Sequence, residues 1–559
     1  MGILDTSLTE ISKTLGKKIS YKELEDILFD FGIDVKGFDG ENVKVELTPD
    51  RYDMLSVQGL GRAFRAYIEI ETGLPKYKVV KHPSFVKVEN PIEKWPSVVA
   101  FAVRGLKFDD EKIKEIIQIQ EKIGDLLLKK RKKGGIGIYP LEKIKFPVIF
   151  TARKLDEIVF RPLEFDREIT GRQILSQHPT GRKYAHILEG EEKYPLFVDS
   201  AGTIMSMPPI INSHLVGKID EHTKDIFFEA TGPNLVQLKQ VANIFAAIFA
   251  DMGGEIYSLD IKYSDKIVIC PDVAPIKRKV SVKKINQLLG INVSSDKVKE
   301  LLKRMLYDIV EAECSEDKIT VLAPFFRTDL WHEIDVIDDV GRAYKYDNIK
   351  PTFPNISTVG KTLPKSDFGE KIAEIFVGLG FQETVTYIST SRQNQYKQMN
   401  IEKEPHVSIT NATENTINSL RTWIIPELFK VLKNNQHHQY PQKIFEVGFV
   451  VIPDENVKDV LCRDVRKASC LIANTNADFN QAKQNLDALL RLLGVDYKVL
   501  LSEHLSFDAE KQGKIIVKDK EVGIIGEFNK KVLENWGIKV PVAGFELNID
   551  EIFDLSFSK

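Results

Sequence analysis

Cysteine is scarce, with four in 559 residues (Cys270, Cys314, Cys462 and Cys470). None lies in a C-x-x-C pair or beside a His at ligand spacing, so neither a disulfide framework nor a zinc site is expected, and a reducing cytoplasm fits best. Long apolar runs are missing as well. The most apolar uncharged stretch, Gln240 to Ala250, falls well short of the roughly 18–20 residues that span a bilayer. Ser200 to Gly217 is uncharged too, but Pro208-Pro209, Asn212, Ser213 and His214 interrupt it. No membrane span is expected, and residues 1–18 mix charged and apolar side chains without the apolar centre of an export signal. Charge of one sign is not in excess: 78 Lys and Arg against 81 Asp and Glu leave a net charge of −3, so any contact with nucleic acid must be local. A P-loop, a G-x-G-x-x-G after a strand, H-E-x-x-H and G-x-S-x-G are all absent.

What is present is an alternation of short amphipathic helices and strands, over a length that at roughly 100–200 residues per domain predicts about three to five domains. Ser20 and Glu23 make a capping box before Leu24, Ile27, Leu28 and Phe31, with Gly32 as the stop, which predicts a helix. Residues 43–47 alternate as a half-buried strand, and Pro49-Asp50 marks a turn into a helix carrying Leu60, Ala63, Phe64 and Tyr67. Helix signals follow at 110–130, a strand at 148–150 and a long apolar helix at about 234–251. Ser281 and Ser295 read as caps of two further helices, ahead of a strand at 319–322 and an acid-rich helix. Residues 350–354 read as a linker, Ser366 as the cap of a helix with Ile372, Ile375, Phe376 and Leu379, and 384–389 as a strand. Strands such as 443–451 and 514–517 then alternate with helices such as 478–493. The expected class is α/β (α+β), multidomain, with boundaries at 1–84, 85–262, 268–350 and 360–559.

Two clusters could carry chemistry. In residues 327–344, Asp335, Asp338 and Asp339 stand at i, i+3 and i+4 on one helical face, opposite Val336, Ile337, Val340, Ala343 and Tyr344, and Asp329 lies six residues upstream of Asp335. Like charges at that spacing repel. A hard, oxygen-ligated cation such as Mg2+ relieves the repulsion; so does a solvated face neutralised by Arg342, and spacing alone leaves both readings open. The run Lys129-Lys130-Arg131-Lys132-Lys133 is either a solvated helix end or a phosphate-binding patch. His437-His438 reads as a surface pair.

Several segments, taken in order, resemble the beta subunit of phenylalanyl-tRNA synthetase in its archaeal and eukaryotic form. They are Leu47-Thr48-Pro49-Asp50-Arg51-Tyr52-Asp53-Met54-Leu55-Ser56-Val57, Ser206-Met207-Pro208-Pro209-Ile210-Ile211-Asn212, and the acidic helix just described. Further on come Gly380-Phe381-Gln382-Glu383-Thr384-Val385-Thr386-Tyr387, Leu420-Arg421-Thr422-Trp423-Ile424-Ile425-Pro426 and Phe445-Glu446-Val447-Gly448. The resemblance implies a heterotetramer of two alpha and two beta subunits that attaches phenylalanine to tRNA(Phe) at the expense of ATP, with the adenylation site on the alpha subunit. It implies that 360–559 is a class II synthetase-like antiparallel-sheet domain without an active site. Phe445-Glu446-Val447-Gly448 stands where a working site has Phe-Arg-x-Glu, and a carboxylate there is expected to repel ATP.

Residues 268–350 resemble the winged-helix-like B5 domain, which implies Mg2+ near the alpha contact at Asp329, Asp335, Asp338 and Asp339. Residues 85–262 resemble the B3/B4 editing domain, which hydrolyses mischarged Tyr-tRNA. The implied pocket positions are Gln120, Glu121, Arg131, Ser206, Asn212 and Glu229, with Glu229 or a nearby polar group on the tyrosine hydroxyl, Ser206 and Asn212 shaping the pocket, and Arg131 near the tRNA end. A second site of this kind is a physical remedy, because an apolar synthetic pocket rejects an added hydroxyl only weakly. A non-catalytic tRNA-binding scaffold with an inert pocket, and a free-standing deacylase, are the alternatives.

Overall fold

The capping box at Ser20 forms in the computed structural model: the Ser20 hydroxyl accepts from the Glu23 N–H at 3.2 Å, and the Glu23 carboxylate accepts from the Ser20 N–H at 2.8 Å. All residues are described except Met1, Pro49, Lys403, Thr413, Asn415, Ser558 and Lys559, so the turn expected at Pro49-Asp50 lies partly outside the described residues. The chain divides into two compact units, Met1–Phe353 and Pro354–Lys559.

The first unit opens with β1 (Gly2–Ser7), α1 (Leu8–Leu15), α2 (Tyr21–Asp30), β2 (Asp34–Asp39), β3 (Asn42–Leu47) and α3 (Val57–Tyr67). β3 is central in an antiparallel sheet of order β1-β3-β2, and its alternate residues Val43, Val45 and Leu47 are buried as the period of two requires.

Next come β4 (Val79–Val88), β5 (Ser97–Arg104), α4 (Asp110–Asp125), β6 (Gly135–Pro140), β7 (Val148–Lys154), the two-residue pair β8 (Val159–Phe160) and β9 (Ile169–Thr170), α5 (Gly171–Gln177) and α6 (Pro179–Tyr184). Then follow β10 (Lys193–Val198), β11 (Ile204–Met207), β12 (Ile211–Asn212), β13 (Ile226–Gly232), α7 (Leu235–Asp251), β14 (Glu255–Lys262) and β15 (Ile267–Cys270). They build one ten-stranded sheet of order β12-β11-β10-β7-β4-β14-β5-β13-β6, with β15 added to β14. α7 is apolar nearly all round because it is buried, packing Phe245 on Phe228 at 4.8 Å, and Phe228 stacks on Phe101 of β5 at 4.7 Å.

β4 begins at Val79, so the boundary expected at 84 cuts a strand, and β15 carries the same sheet past the boundary expected at 262. Lys81, His82 and Pro83 break the alternation that would have betrayed β4.

β16 (Ile276–Ser281), α8 (Val282–Leu289), α9 (Ser295–Arg304), β17 (Asp308–Ile309), β18 (Lys318–Ala323) and α10 (Glu333–Tyr344) complete this unit, with sheet order β16-β18-β17. The cap of α9 is Ser294 rather than Ser295; Ser294 is the extended residue, and its hydroxyl accepts from the Lys297 N–H at 3.3 Å.

The second unit comprises α11 (Pro364–Gly378), β19 (Gln382–Glu383), β20 (Ser389–Thr390), α12 (Arg392–Gln395), β21 (Ser419–Leu420), α13 (Ile425–Asn434), β22 (Gln442–Pro453) and β23 (Cys462–Ala473). After these come α14 (Phe479–Leu492), β24 (Lys498–Leu500), β25 (Phe507–Val517), β26 (Lys520–Phe528), α15 (Lys530–Trp536), β27 (Val542–Asn548) and α16 (Ile549–Ser556). Its main sheet runs β19-β22-β23-β27-β26-β25-β24, antiparallel except for the β19–β22 edge.

Two expectations fail here. α11 starts at Pro364, ahead of Ser366, because proline suits the first helical turn. The strand expected at 384–389 does not form: after the Thr384 N–H makes a last bond to the Phe445 carbonyl the chain leaves the sheet, the Thr386 hydroxyl donates to Glu446, and only Ser389 re-enters a strand, in β20. Among the described residues no helix is long and apolar enough to cross a membrane.

Candidate functional site

β13 reads Ile226-Phe227-Phe228-Glu229-Ala230-Thr231-Gly232 and is buried throughout, so its one acid is conspicuous. Phe228 meets α7, and strand alternation therefore turns Glu229 away from that helix. On that side opens a cavity of about 400 Å3, walled by Ile113, Ile116 and Ile117 of α4, Ile136 and Ile138 of β6, Pro208, Pro209 and Ile211. This is the size and apolar character of a small-molecule site. Its convergent polar groups include Gln120, Arg131, Asn212 and Glu229, four of the six residues singled out in sequence.

Glu229 is 2% exposed. Its Oε1 accepts from the Tyr139 hydroxyl at 3.0 Å, whereas Oε2 has no hydrogen-bond partner among the described residues. Burial pushes its carboxyl up from the ordinary 4.5 to about 8, against the opposing pull of the Tyr139 bond. The same hydroxyl lies 3.3 Å from Asn212 Oδ1, so its single proton is shared between two acceptors. Burial, then the neighbouring Glu229, raises the Tyr139 phenol well above its usual value. Ser206 is the register partner of Asn212 across β11 and β12, is buried, and faces the Tyr139 phenol.

Gln120 donates to the Ile136 carbonyl at 2.8 Å. Arg131 follows Lys129 and Lys130 in a run of three left-handed residues, donates to the Pro209 and Ile210 carbonyls at 3.0 and 2.9 Å, and stacks over Tyr184 at 4.3 Å. Of the basic run, then, Arg131 is folded in as a clamp on the Pro208-Pro209 turn. Glu121 is not brought to the cavity: it lies on the exposed side of α4. Sequence reasoning missed Tyr139, together with His214 and Lys218 on the cavity wall. The signal for Tyr139 was there in Gly135-x-Gly137-x-Tyr139, a period of two with bare positions before a large polar ring.

The acidic helix α10 is arranged differently. Asp335 Oδ2 accepts from the Trp331 and His332 N–H groups at 2.7 and 2.6 Å, as the reciprocal acid of a capping box whose cap is His332. Asp338 accepts from Arg342 at 2.8 Å and from the Tyr346 hydroxyl at 2.7 Å. Asp329 and Asp339 converge on Arg327, whose side chain is 2% exposed: it donates to both Asp329 oxygens at 2.8 and 2.6 Å and pairs with Asp339 at 2.9 Å. Asp339 also accepts from Tyr307 at 2.6 Å. Burial would raise the Asp329 carboxyl, but Arg327, aided by Arg51, outweighs it and holds it at about 2. Arg51, paired with Asp53 at 2.9 Å, comes from the 47–57 segment, so two of the segments quoted above meet here.

The oxygen chemistry suits Mg2+, but the arrangement does not. The four carboxylates are engaged at three separate places, and among the described residues no three His, Cys, Asp or Glu side chains stand close enough to share an ion. Arg327 already supplies the positive charge between Asp329 and Asp339.

In the second unit Glu446 is buried and paired with the equally buried Arg421 at 2.8 Å; it also accepts from Thr386 at 2.6 Å. The expected repulsion of ATP by a bare carboxylate is therefore corrected. The charge is neutralised internally, and Gly448 packs so closely on the pair that a side chain there would strike Arg421 and Glu446.

A family model described as "tRNA synthetase B5 domain" matches residues 278–346. Together with the mixed α/β, multidomain architecture, this defines a component of an aminoacyl-tRNA synthetase. A second model, "Phenylalanyl tRNA synthetase beta chain CLM domain", matches residues 349–549. The phenylalanine–tRNA ligase beta subunits of Pyrococcus abyssi and Methanocella arvoryzae are 36% and 35% identical to this chain, each over 98% of it and 99% of the relative. A crystal structure of an N-terminal fragment of the phenylalanyl-tRNA synthetase beta-subunit from Pyrococcus horikoshii is similar with a TM-score of 0.59 at 33% identity, covering 61% of this chain and 99% of the fragment. The chain belongs to the phenylalanine–tRNA ligase beta subunit family.

Proposed function

We propose that this chain joins an alpha subunit, as two alpha and two beta, to attach phenylalanine to tRNA(Phe) with ATP in the cytoplasm, and that its own cavity edits mischarged Tyr-tRNA(Phe). The adenylation site belongs to the alpha subunit in this reading, which the internal Arg421–Glu446 pair supports because it leaves Arg421 committed to a buried carboxylate and not free to hold a phosphate. One observation carries the editing assignment: a buried carboxyl oxygen, Glu229 Oε2, stands without a partner among the described residues, on the wall of a largely apolar cavity of about 400 Å3. A tyrosyl group has room in the cavity and brings a hydroxyl for that oxygen, whereas a phenylalanyl group leaves it unmet. A site built to hydrogen-bond a hydroxyl discriminates far more strongly than an apolar one. Ser206 and Asn212 shape the polar end, Gln120 and Arg131 the mouth, and Glu121 is placed to act only outside the cavity.

The test is hydrolysis of Tyr-tRNA and Phe-tRNA by the complex reconstituted with its alpha subunit, and by Glu229→Ala/Asn212→Ala. Selective loss of Tyr-tRNA hydrolysis in the variant, by about 100-fold or more, is the expected result. Equal background rates for both would favour the second reading, a tRNA-binding scaffold with an inert pocket. The position of Glu121 and the engagement of Arg131 with backbone carbonyls speak for that alternative. Mg2+ at Asp329, Asp335, Asp338 and Asp339 belongs to the proposal only for the assembled enzyme, since in the chain by itself their oxygens are engaged by protein donors. Calorimetric titration of Mg2+ into the free chain and into the complex separates the two states, with binding expected in the complex alone.

A further inference from the structure

The editing reading leaves open what fixes the carboxyl of Glu229 on the cavity wall, whose Oε2 is buried and unpartnered among the described residues. A glutamate side chain can swing its carboxyl, and an isolated acid in an apolar wall would fold back onto any donor. Tyr139 supplies a fixed one. It is fully buried, its ring packs near Phe227 at 6.1 Å, and its hydroxyl reaches Glu229 Oε1 at 3.0 Å and Asn212 Oδ1 at 3.3 Å. Two residues earlier on the same face of β6, Gly137 lies directly opposite Glu229 in the strand register. A Cβ at Gly137 would collide with both the Tyr139 hydroxyl and Glu229 Oε1, so the strand must be bare there for the pair to form.

We infer that Tyr139 is a positioning residue for discrimination: by tying down Glu229 Oε1 and Asn212 from behind, it leaves Oε2 as the acceptor or donor for the hydroxyl of a bound tyrosyl ester. This rests on the editing reading. Tyr139 touches no substrate; it sets the geometry of the group that does. Losing its hydroxyl frees the Glu229 carboxyl to rotate, which weakens recognition of tyrosine but not the bond-breaking step common to both esters.

The experiment uses the complex reconstituted with the alpha subunit and compares kcat and KM for hydrolysis of Tyr-tRNA and Phe-tRNA. Phenylalanine charging by the same preparations measures folded enzyme. Tyr139→Phe removes one oxygen and is expected to lower the Tyr-over-Phe ratio of kcat/KM by about 10-fold or more, through KM for Tyr-tRNA, with Phe-tRNA hydrolysis unchanged. In a Glu229→Gln background the same change is expected to have no further effect on the ratio, as required of a residue acting through another. Should Tyr139→Phe fail to fold, Gly137→Ala, which sets a methyl against the same two oxygens, must reproduce the selective loss. An unchanged ratio, or an equal loss on both substrates, overturns the inference while the editing reading stands. Absence of Tyr-tRNA hydrolysis by the unmutated complex overturns the editing reading and this inference with it.

Discussion

Glu229, buried, and Asp329, half-buried with its side chain 17% exposed, are both carboxylates of the first unit, and they have opposite fates. Glu229 has a neutral phenol for a neighbour and an unpartnered oxygen, and its carboxyl is driven up to about 8. Asp329 has Arg327 bidentate against it with Arg51 beyond, and is held at about 2. The difference is whether a cation was built in. A buried acid given its own arginine is finished: its hydrogen bonds are made, its charge is fixed, and it serves to join segments distant in sequence. An acid buried without a cation stays mostly protonated near neutral pH and still has an oxygen to offer, which is the state a recognition group needs.

Removing the cation from the finished cluster should convert it toward the unfinished kind. Arg327→Met leaves the buried Asp339 and the half-buried Asp329 without the arginine they share. A loss of about 3–5 kcal/mol is expected, the usual cost of orphaning a buried charge, read as a lower denaturation midpoint for the first unit. Adding Asp329→Asn and Asp339→Asn should recover most of it. The same variant sharpens the metal question, because it is the form of the free chain in which Mg2+ gains most from binding there. A midpoint that rises with millimolar Mg2+ in Arg327→Met, but not in the parent, would show that the arginine and the ion compete for one place.

The converse test acts on Glu229. Its folded pKa of about 8 stands above the ordinary 4.5, so the folded chain holds a proton that the unfolded chain has released. Its contribution is therefore fully present below pH 4.5 and is lost as the pH rises through 8, an effect on the order of a few kcal/mol. Glu229→Gln cannot ionise. Relative to the parent it is expected to gain stability steadily from pH 5 to pH 8.5 in urea unfolding. A difference independent of pH would mean that the carboxyl ionises freely in the folded chain, and the contrast with Asp329 would collapse.

How far this contrast could be read in advance follows from the same physics. Local signals were legible: the Ser20 capping box and α7 with its apolar side chains. The acidic face of α10 was legible only in part, because Asp339 is buried among Val336, Ile337 and Val340 while Asp335 and Asp338 are half-buried. Four residues of the cavity were legible by resemblance. What stayed hidden was pairing over distance. Nothing near Asp329 in sequence says that Arg51 stands beside Arg327, nor does the strand Gly135–Pro140 say that Tyr139 meets Glu229 ninety residues on. The basic run was legible as a solvated stretch for its four exposed lysines but not for Arg131, which follows two left-handed residues and turns to the Pro209 and Ile210 carbonyls.

The smallest expected effect bears on Asp335, which belongs to neither class. It is partly exposed, and its carboxylate holds the Trp331 and His332 N–H groups at the start of α10. Asp335→Ala should cost about 1 kcal/mol, as for any lost helix cap, and leave Arg327 and its partners undisturbed. Asp335→Asn keeps an acceptor for one of those N–H groups and should cost less still. Charging by the reconstituted complex turns this modest change into a discriminating one. If Asp335 is only a cap, both variants charge phenylalanine at the parental rate once folded. If the four acids rearrange around Mg2+ when the alpha subunit binds, Asp335→Asn should raise the Mg2+ needed for half-maximal charging while barely moving the unfolding midpoint. Stability and metal dependence would then part company at one residue, whereas at Arg327 they change together.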